Sequence, residues 1–168
     1  ADFSDTKASV LGDYVAAKLG FDEGESARYM AVTGDYSGYM FFFFENGKVA
    51  KVELSSYATK TNRRKLVGAY SDKSPVVAIV QAPEDGEFML TATSGRMLLV
   101  HTGAIAAKAT RNTIGVQVMT LKGRHLLQKV EPFTEGMVTK SNRYRTKTLP
   151  AAGAMPSAED VGEQLTLT

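Results

Sequence analysis

The sequence predicts an all-β chain of propeller-like repeats, on three observations. First, "FFFFENGKVAKVELSSYATKTNRRKLVGAY" and "MLTATSGRMLLVHTGAIAAKATRNTIGVQV" follow one plan, with Gly47 and Gly95 lying 48 residues apart. Second, each stretch turns on a hairpin signal between apolar runs. Asn46-Gly47 suits a turn that needs positive φ at both central positions, and Ser94-Gly95 is a weaker version of it. Third, Phe41–Phe44 is a continuous apolar run. Alternation along a strand sends Phe41 and Phe43 to one face and Phe42 and Phe44 to the other, so both faces must be covered. Repeats of 40–50 residues with about four short strands each match propeller-like blades. Ten to twelve strands in consecutive four-stranded units are expected, with Phe41–Phe44 and Met89–Thr93 buried.

Taken in order, residues 1–38 read as the back half of a repeat. Phe3, Gly12-Asp13-Tyr14 and Tyr29–Val32 take the places of Tyr57, Gly68-Ala69-Tyr70 and Val76–Val80, which makes Tyr29 a core residue on a strand. The chain opens without an initiator methionine, and the expectation is a piece of a longer protein. Residues 39–86 form a full blade: Phe41–Phe44, the Asn-Gly turn, Val49–Leu54, a polar loop, Gly68, then Val76–Val80. Residues 87–136 repeat it through Met97–Val100, Gly115 and His125–Val130. In residues 137–168 the pattern fades into a basic segment and a tail with Pro150 and Pro156. The first ten residues of that segment are expected to dock where a repeat's basic loop would sit. Weak order is expected from about Ala151, giving a poorly ordered C-terminal tail, with one short helix starting near Ser157.

Composition removes several classes of function. Hydrophobic residues make up 43% and charged residues 23% of the 168, which is ordinary for a globular chain. Without cysteine there is no disulfide framework and no thiolate metal site. No apolar run approaches the roughly 20 residues of a membrane span, and no signal-peptide pattern opens the chain. His101 and His125 lack a partnered nucleophile or metal spacing. Asp22, Glu23 and Glu25 lack the alternating ligand pattern of a calcium loop and read as a solvated acidic turn. No phosphate-cradling Gly-x-x-x-x-Gly-Lys appears. A phenylalanine platform for stacking bases is the other reading of Phe41–Phe44, but such residues would be exposed and interspersed with charge.

The net charge of +2 hides an uneven distribution. Segments 1–38, 39–86, 87–136 and 137–168 carry −4, +2, +3 and +1. The form Lys-x-(Asn/Thr)-Arg occurs at Lys60–Arg63, Lys108–Arg111 and Lys140–Arg143. Spaced bases on connecting loops suit a phosphate backbone, because each contact releases condensed counterions without reading a base. Arginine adds a planar fork that holds phosphate oxygens in pairs. The candidate contacts are Arg63, Arg64 and Lys65, then Lys108 and Arg111, then Arg143 and Arg145, with Lys60 and Lys140 flanking. The alternative for the clusters is a set of solvated charges, and for Arg63 a structural role, holding the loop of Gly68 by bonding backbone carbonyls.

The hairpins "FFENGKVAKVEL" and "TATSGRMLLV" and the segments "TNRRKLVG" and "TRNTIGVQVMTLK" resemble the carboxy-terminal domain of the A subunit of bacterial type IIA topoisomerases, DNA gyrase and topoisomerase IV. The resemblance covers residues 1 to about 136. It implies a partial β-pinwheel of about two and a half to three blades whose rim binds and bends duplex DNA. It also implies partnership with the rest of the A subunit and, through it, the ATPase B subunit, in the bacterial cytoplasm at the nucleoid. No cofactor, metal or membrane is implied. Gyrases carry a glutamine-arginine-arginine-glycine-glycine-lysine-glycine box; Asn62–Gly68 matches it only at Arg63, Arg64 and Gly68, so gyrase-type wrapping is not implied. No tyrosine sits in the family's catalytic context, with Arg143-Tyr144 in the tail and Arg28-Tyr29 on an expected strand. The chain alone is therefore expected to be non-catalytic. A propeller-type scaffold for another protein is the alternative, kept open by the acidic first segment.

Overall fold

Phe41–Phe44 lies at the centre of the first of two antiparallel sheets. The computed structural model describes residues 5–8, 11–61 and 66–161. Strands β1 (Tyr39–Phe44) and β2 (Lys48–Glu53) form the hairpin around Asn46-Gly47, pairing Tyr39 with Glu53 and Phe43 with Val49. Strand β3 (Val76–Ala82) lies on the other side of β1. In the second sheet β4 (Glu87–Ala92) and β5 (Met97–His101) form the second hairpin, with β7 (Leu127–Pro132) against β4. The register repeats at a spacing of 48: Tyr39 faces Glu53 as Glu87 faces His101. A bulge falls between Phe43 and Phe44 and again between Thr91 and Ala92.

The units are not self-contained. The short strand β6 (Val116–Gln117) lies between β5 and β7 in sequence, yet it pairs with β2, so the first sheet runs β3-β1-β2-β6. The second sheet has the order β5-β4-β7. Seven strands are therefore formed among the described residues, against the ten to twelve expected, and one sheet's fourth strand is lent by the next repeat. Gly115 permits the exchange: at φ +77, a Cβ there would meet the carbonyl oxygen of Val49 at 2.5 Å.

The phenylalanine run is buried as expected, and each face has its own cover. Phe41 and Phe43 join Leu90, Leu98, Val118 and Met119 in a core shared by the two sheets, with the Phe88 ring 6.0 and 5.3 Å from theirs. Phe42 and Phe44 face the other way, against Val52, Leu54 and Tyr57, with Tyr70 stacked on Phe42 at 5.3 Å. Met89, Leu90 and Ala92 are buried, whereas Thr91 is half-buried and Thr93 exposed, because the strand ends at Ala92. Beneath the second sheet, Met89, Met97 and Leu99 pack on Val138 and Tyr144.

Two expectations change. The strand placed at Tyr29–Val32 is not formed; the described part of residues 5–38 holds one short helix, α1 (Val15–Leu19), with no buried residue. Tyr29 is 42% exposed, and its hydroxyl accepts from the backbone amide of Gln81 in β3. Among the described residues no strand pairs with that segment, so its backbone has no ladder to join. Phe3 lies outside the described residues. At the other end, order reaches further than Ala151. Ala151 bridges to Met119 and Ala154 to Met97, and a helical turn follows Ser157 over residues 158–161. The remainder of the expected tail, residues 162–168, lies outside the described residues.

Candidate functional site

The loop of Lys108 and Arg111 lies where the chain leaves β5 to pair with β2 of the other hairpin. After β2 a 3-10 turn, Leu54–Tyr57, ends the hairpin, and the Tyr57 hydroxyl donates to the Ala69 carbonyl at 2.6 Å. Burial pushes the Tyr57 hydroxyl up to about 12, against the opposing pull of Arg111. Lys108 runs alongside β2: its amide donates to Lys51 and its carbonyl accepts from Glu53, while its side chain is exposed. The Arg111 guanidinium turns inward and donates from Nη1 to the Ser56 carbonyl at 2.8 Å, leaving Nε buried without a partner. Lys60 is exposed at the start of its loop. Arg63, Arg64 and Lys65 lie outside the described residues.

In the tail both arginines are engaged. The Arg145 guanidinium grips Glu87 in a fork, Nε to Oε1 at 2.7 Å and Nη2 to Oε2 at 3.0 Å, and its Nη1 donates to Asn142 at 2.7 Å. The Arg145 hydrogen bond, opposed by burial, holds the Glu87 carboxyl below the usual range. Arg143 donates from Nε to the Met155 carbonyl at 3.0 Å, and Lys140 is exposed. The two described Lys-x-(Asn/Thr)-Arg segments, Lys108–Arg111 and Lys140–Arg143, do not share one position. Arg145 bridges to Leu99 in the way that Lys108 bridges to Val52, and the 3-10 turn Ser141–Arg143 comes before that point. The shift follows from Tyr144, which the turn drives into the core under β5.

A further set of bases escaped the sequence reading. Lys48 and Arg96 sit at corresponding positions of the two hairpin turns, 48 residues apart, and Lys73 and Arg124 precede β3 and β7 at a spacing of 51. That second spacing equals the separation of Val76 and Leu127, the first residues of β3 and β7. The two intervals together were the available signal; a single repeat length hid it.

The remaining candidates have local roles. The His101 ring accepts from the Gly103 amide at 3.1 Å, capping a 3-10 turn. Nδ1 of His125 lies 3.1 Å from the Thr93 hydroxyl. Asp22, Glu23 and Glu25 are exposed, with the Glu25 carboxylate accepting from the Asp22 amide. Among the described residues no group of three such side chains is placed to hold a metal, and no helix is long and apolar enough to cross a membrane.

No protein-family model matches the chain, and no curated protein matches it. Solved structures do. It is similar to the C-terminal domain of DNA topoisomerase IV, with a TM-score of 0.58 at 23% identity over 78% of this chain and 41% of that one. It is similar to the DNA gyrase A C-terminal domain, with a TM-score of 0.58 at 16% identity over 85% of this chain and 52% of that one. For the E. coli ParC C-terminal domain the TM-score is 0.53 at 14% identity, over 77% and 60%. The chain thus spans 41% to 60% of the length of these structures. Paired hairpins joined by an exchanged strand, together with this likeness, give the conclusion: the chain has the β-pinwheel fold of the C-terminal domains of DNA topoisomerase IV and gyrase A.

Proposed function

We propose that this chain is a non-catalytic module of a bacterial type II topoisomerase A subunit that binds and bends duplex DNA through phosphate contacts. The observation that carries the reading is the shared fold, over more than three quarters of the chain, with C-terminal domains of topoisomerase IV and gyrase A. The basic loops support it. Lys60, Lys108 and Lys140 present exposed ammonium groups, and Arg63, Arg64 and Lys65 complete the first loop. Arg111, Arg143 and Arg145 already hold protein partners, so they serve as anchors that offer their remaining N–H groups to the duplex. Backbone contacts of this kind position DNA without reading its sequence. The partners in this reading are the rest of the A subunit and, through it, the ATPase B subunit, in the bacterial cytoplasm at the nucleoid. Residues 1–38, 39–86, 87–136 and 137–168 are its partial blade, two blades and basic tail.

Fluorescence anisotropy with a labelled duplex, across a salt series, tests the reading. Binding should weaken steeply with salt, and Arg63→Ala with Arg64→Ala should lower the slope by about 0.9 per lost contact, alike on unrelated duplexes. No binding at low salt would favour a protein-interaction scaffold, for which the acidic segment 1–38 speaks. Magnesium-dependent nicking by the pure chain, abolished by replacing one tyrosine, would overturn the non-catalytic assignment.

A further inference from the structure

Each hairpin turn opens on a cavity of about 220 Å³ with the same chemistry. At the first, Lys48 and Lys73 share the wall with Asn46, Ser71 and Ser74. At the second, Arg96, Lys122 and His125 share it with Ser94 and Thr120. Both cavities have an apolar floor, Phe44 and Ile114 in the first and Met119 and Leu121 in the second; the polar groups on it are cations, hydroxyls and the Asn46 amide, and no carboxylate lines either. The nearby acids Glu45 and Asp72 line a neighbouring cavity, together with Arg28.

The backbone reproduces the arrangement in both repeats. The Glu45 amide donates to the Pro75 carbonyl at 2.9 Å, and the Thr93 amide to the Leu126 carbonyl at 2.8 Å. Those bonds clamp each turn to the residue before the next strand, which brings Lys73 into the wall of the first cavity; in the second the wall takes Lys122 and His125, and Arg124 adjoins it in sequence between them. The bases also differ in state from the loop arginines. Among the described residues Lys48, Lys73, Lys122 and Arg124 have no ion pair and no hydrogen-bonded side chain, whereas Arg111, Arg143 and Arg145 are bonded to carbonyls or to Glu87. Arg96 is held at one point only, donating from Nη1 to the Gly153 carbonyl at 2.9 Å, which fixes its fork at the cavity mouth.

We propose that the mouth of each hairpin turn is a phosphate niche, Lys48 with Lys73 in one repeat and Arg96 with Lys122 in the next, the latter flanked by Arg124, each seating a phosphodiester of the same duplex. The proposal rests on the DNA reading above and adds a second tier of contacts to it. Arg111 is bonded just past the far end of β2, so the tiers are separated by about the length of that strand, roughly 17 Å at ~3.3 Å per residue. Unpaired bases beside hydroxyl donors suit a tetrahedral oxyanion, since nothing must be broken to admit it.

The test compares Lys48→Ala/Lys73→Ala, Lys122→Ala/Arg124→Ala and a control, Lys147→Ala, for binding a labelled duplex across a salt series, with melting temperatures in parallel. Arg96 is left intact because it also holds Gly153. Each double variant should lower the salt slope by about 1.8, with roughly tenfold or greater loss at 0.1 M salt and an unchanged melting temperature. Steep wild-type binding that both double variants retain in full would overturn the niches and leave the DNA reading standing. If the wild type binds no duplex at low salt, the DNA reading fails and duplex phosphate is excluded as the ligand. Tripolyphosphate then decides between a niche for free phosphate, with a melting temperature raised in the wild type and not in the double variants, and no niche at all.

Discussion

Asp160 accepts four hydrogen bonds, from the Thr139 amide and hydroxyl, the Ser157 hydroxyl and the Tyr144 hydroxyl, while only 5% exposed. Burial pushes its carboxyl up, but the bonds from Thr139, Tyr144 and Ser157 outweigh it and hold the carboxyl well below the usual range. A carboxyl depressed in the folded state contributes stability that is complete above its ordinary value of 3.8 and is lost as pH falls below it. Asp160→Asn keeps the shape but removes the charge and one acceptor. It should cost about 2 kcal/mol at pH 7, with the difference from wild type shrinking as pH falls below 3.8. Thermal unfolding from pH 7 to pH 2 measures both; a pH-independent difference would show that the ionised carboxyl is not what holds the tail.

At the scale of elements, three glycines at comparable places in the repeats separate strain from steric exclusion. Gly68, Gly115 and Gly153 have φ of +70, +77 and +72. A Cβ on Gly115 would meet the Val49 carbonyl oxygen at 2.5 Å, and one on Gly153 the Met97 carbonyl oxygen at 2.4 Å, whereas one on Gly68 meets nothing within 4 Å among the described residues. Val49 and Met97 are themselves 48 residues apart, so the tail crosses β5 as β6 crosses β2. Replacement by alanine should cost about 1 kcal/mol of backbone strain at Gly68. At Gly115 and Gly153 it should cost distinctly more, because the carbonyl must also move and its ladder bonds weaken. Chemical denaturation of the three variants checks the order; equal losses would mean that the close crossings do not constrain the edges.

For the whole molecule, the edge of β5 is the exposed flank that the tail manages. Met97 exchanges both backbone bonds with Ala154, and Leu99 is bonded to Tyr144 and Thr146. Val138 and Tyr144 cover the apolar face beneath. A chain ending at Gly136 would bare that strand edge and face together, a template for another chain. Such a truncation should melt at a lower temperature and self-associate in sedimentation velocity runs, while the full chain associates less. A monomer of unchanged stability would show that the tail is an ornament of the edge rather than its cover.

Local residue chemistry sufficed for much of this. Asn46-Gly47 and Ser94-Gly95 announce hairpins, because few residues tolerate positive φ. Phe41–Phe44 announces a strand covered on both faces, because side chains alternate. Ser157 announces a helical turn, because its hydroxyl can take the Asp160 amide. The loop bases were legible as charges, but not as free or engaged ones. What only the tertiary structure decided were the long-range pairings: β6 with β2, the tail with β5, Arg145 with Glu87, Asp160 with Thr139. The absent strand at Tyr29–Val32 is the same lesson from the other side. A strand needs a partner's amides and carbonyls as much as its own side chains, and pattern within a segment carries no information about where that partner lies.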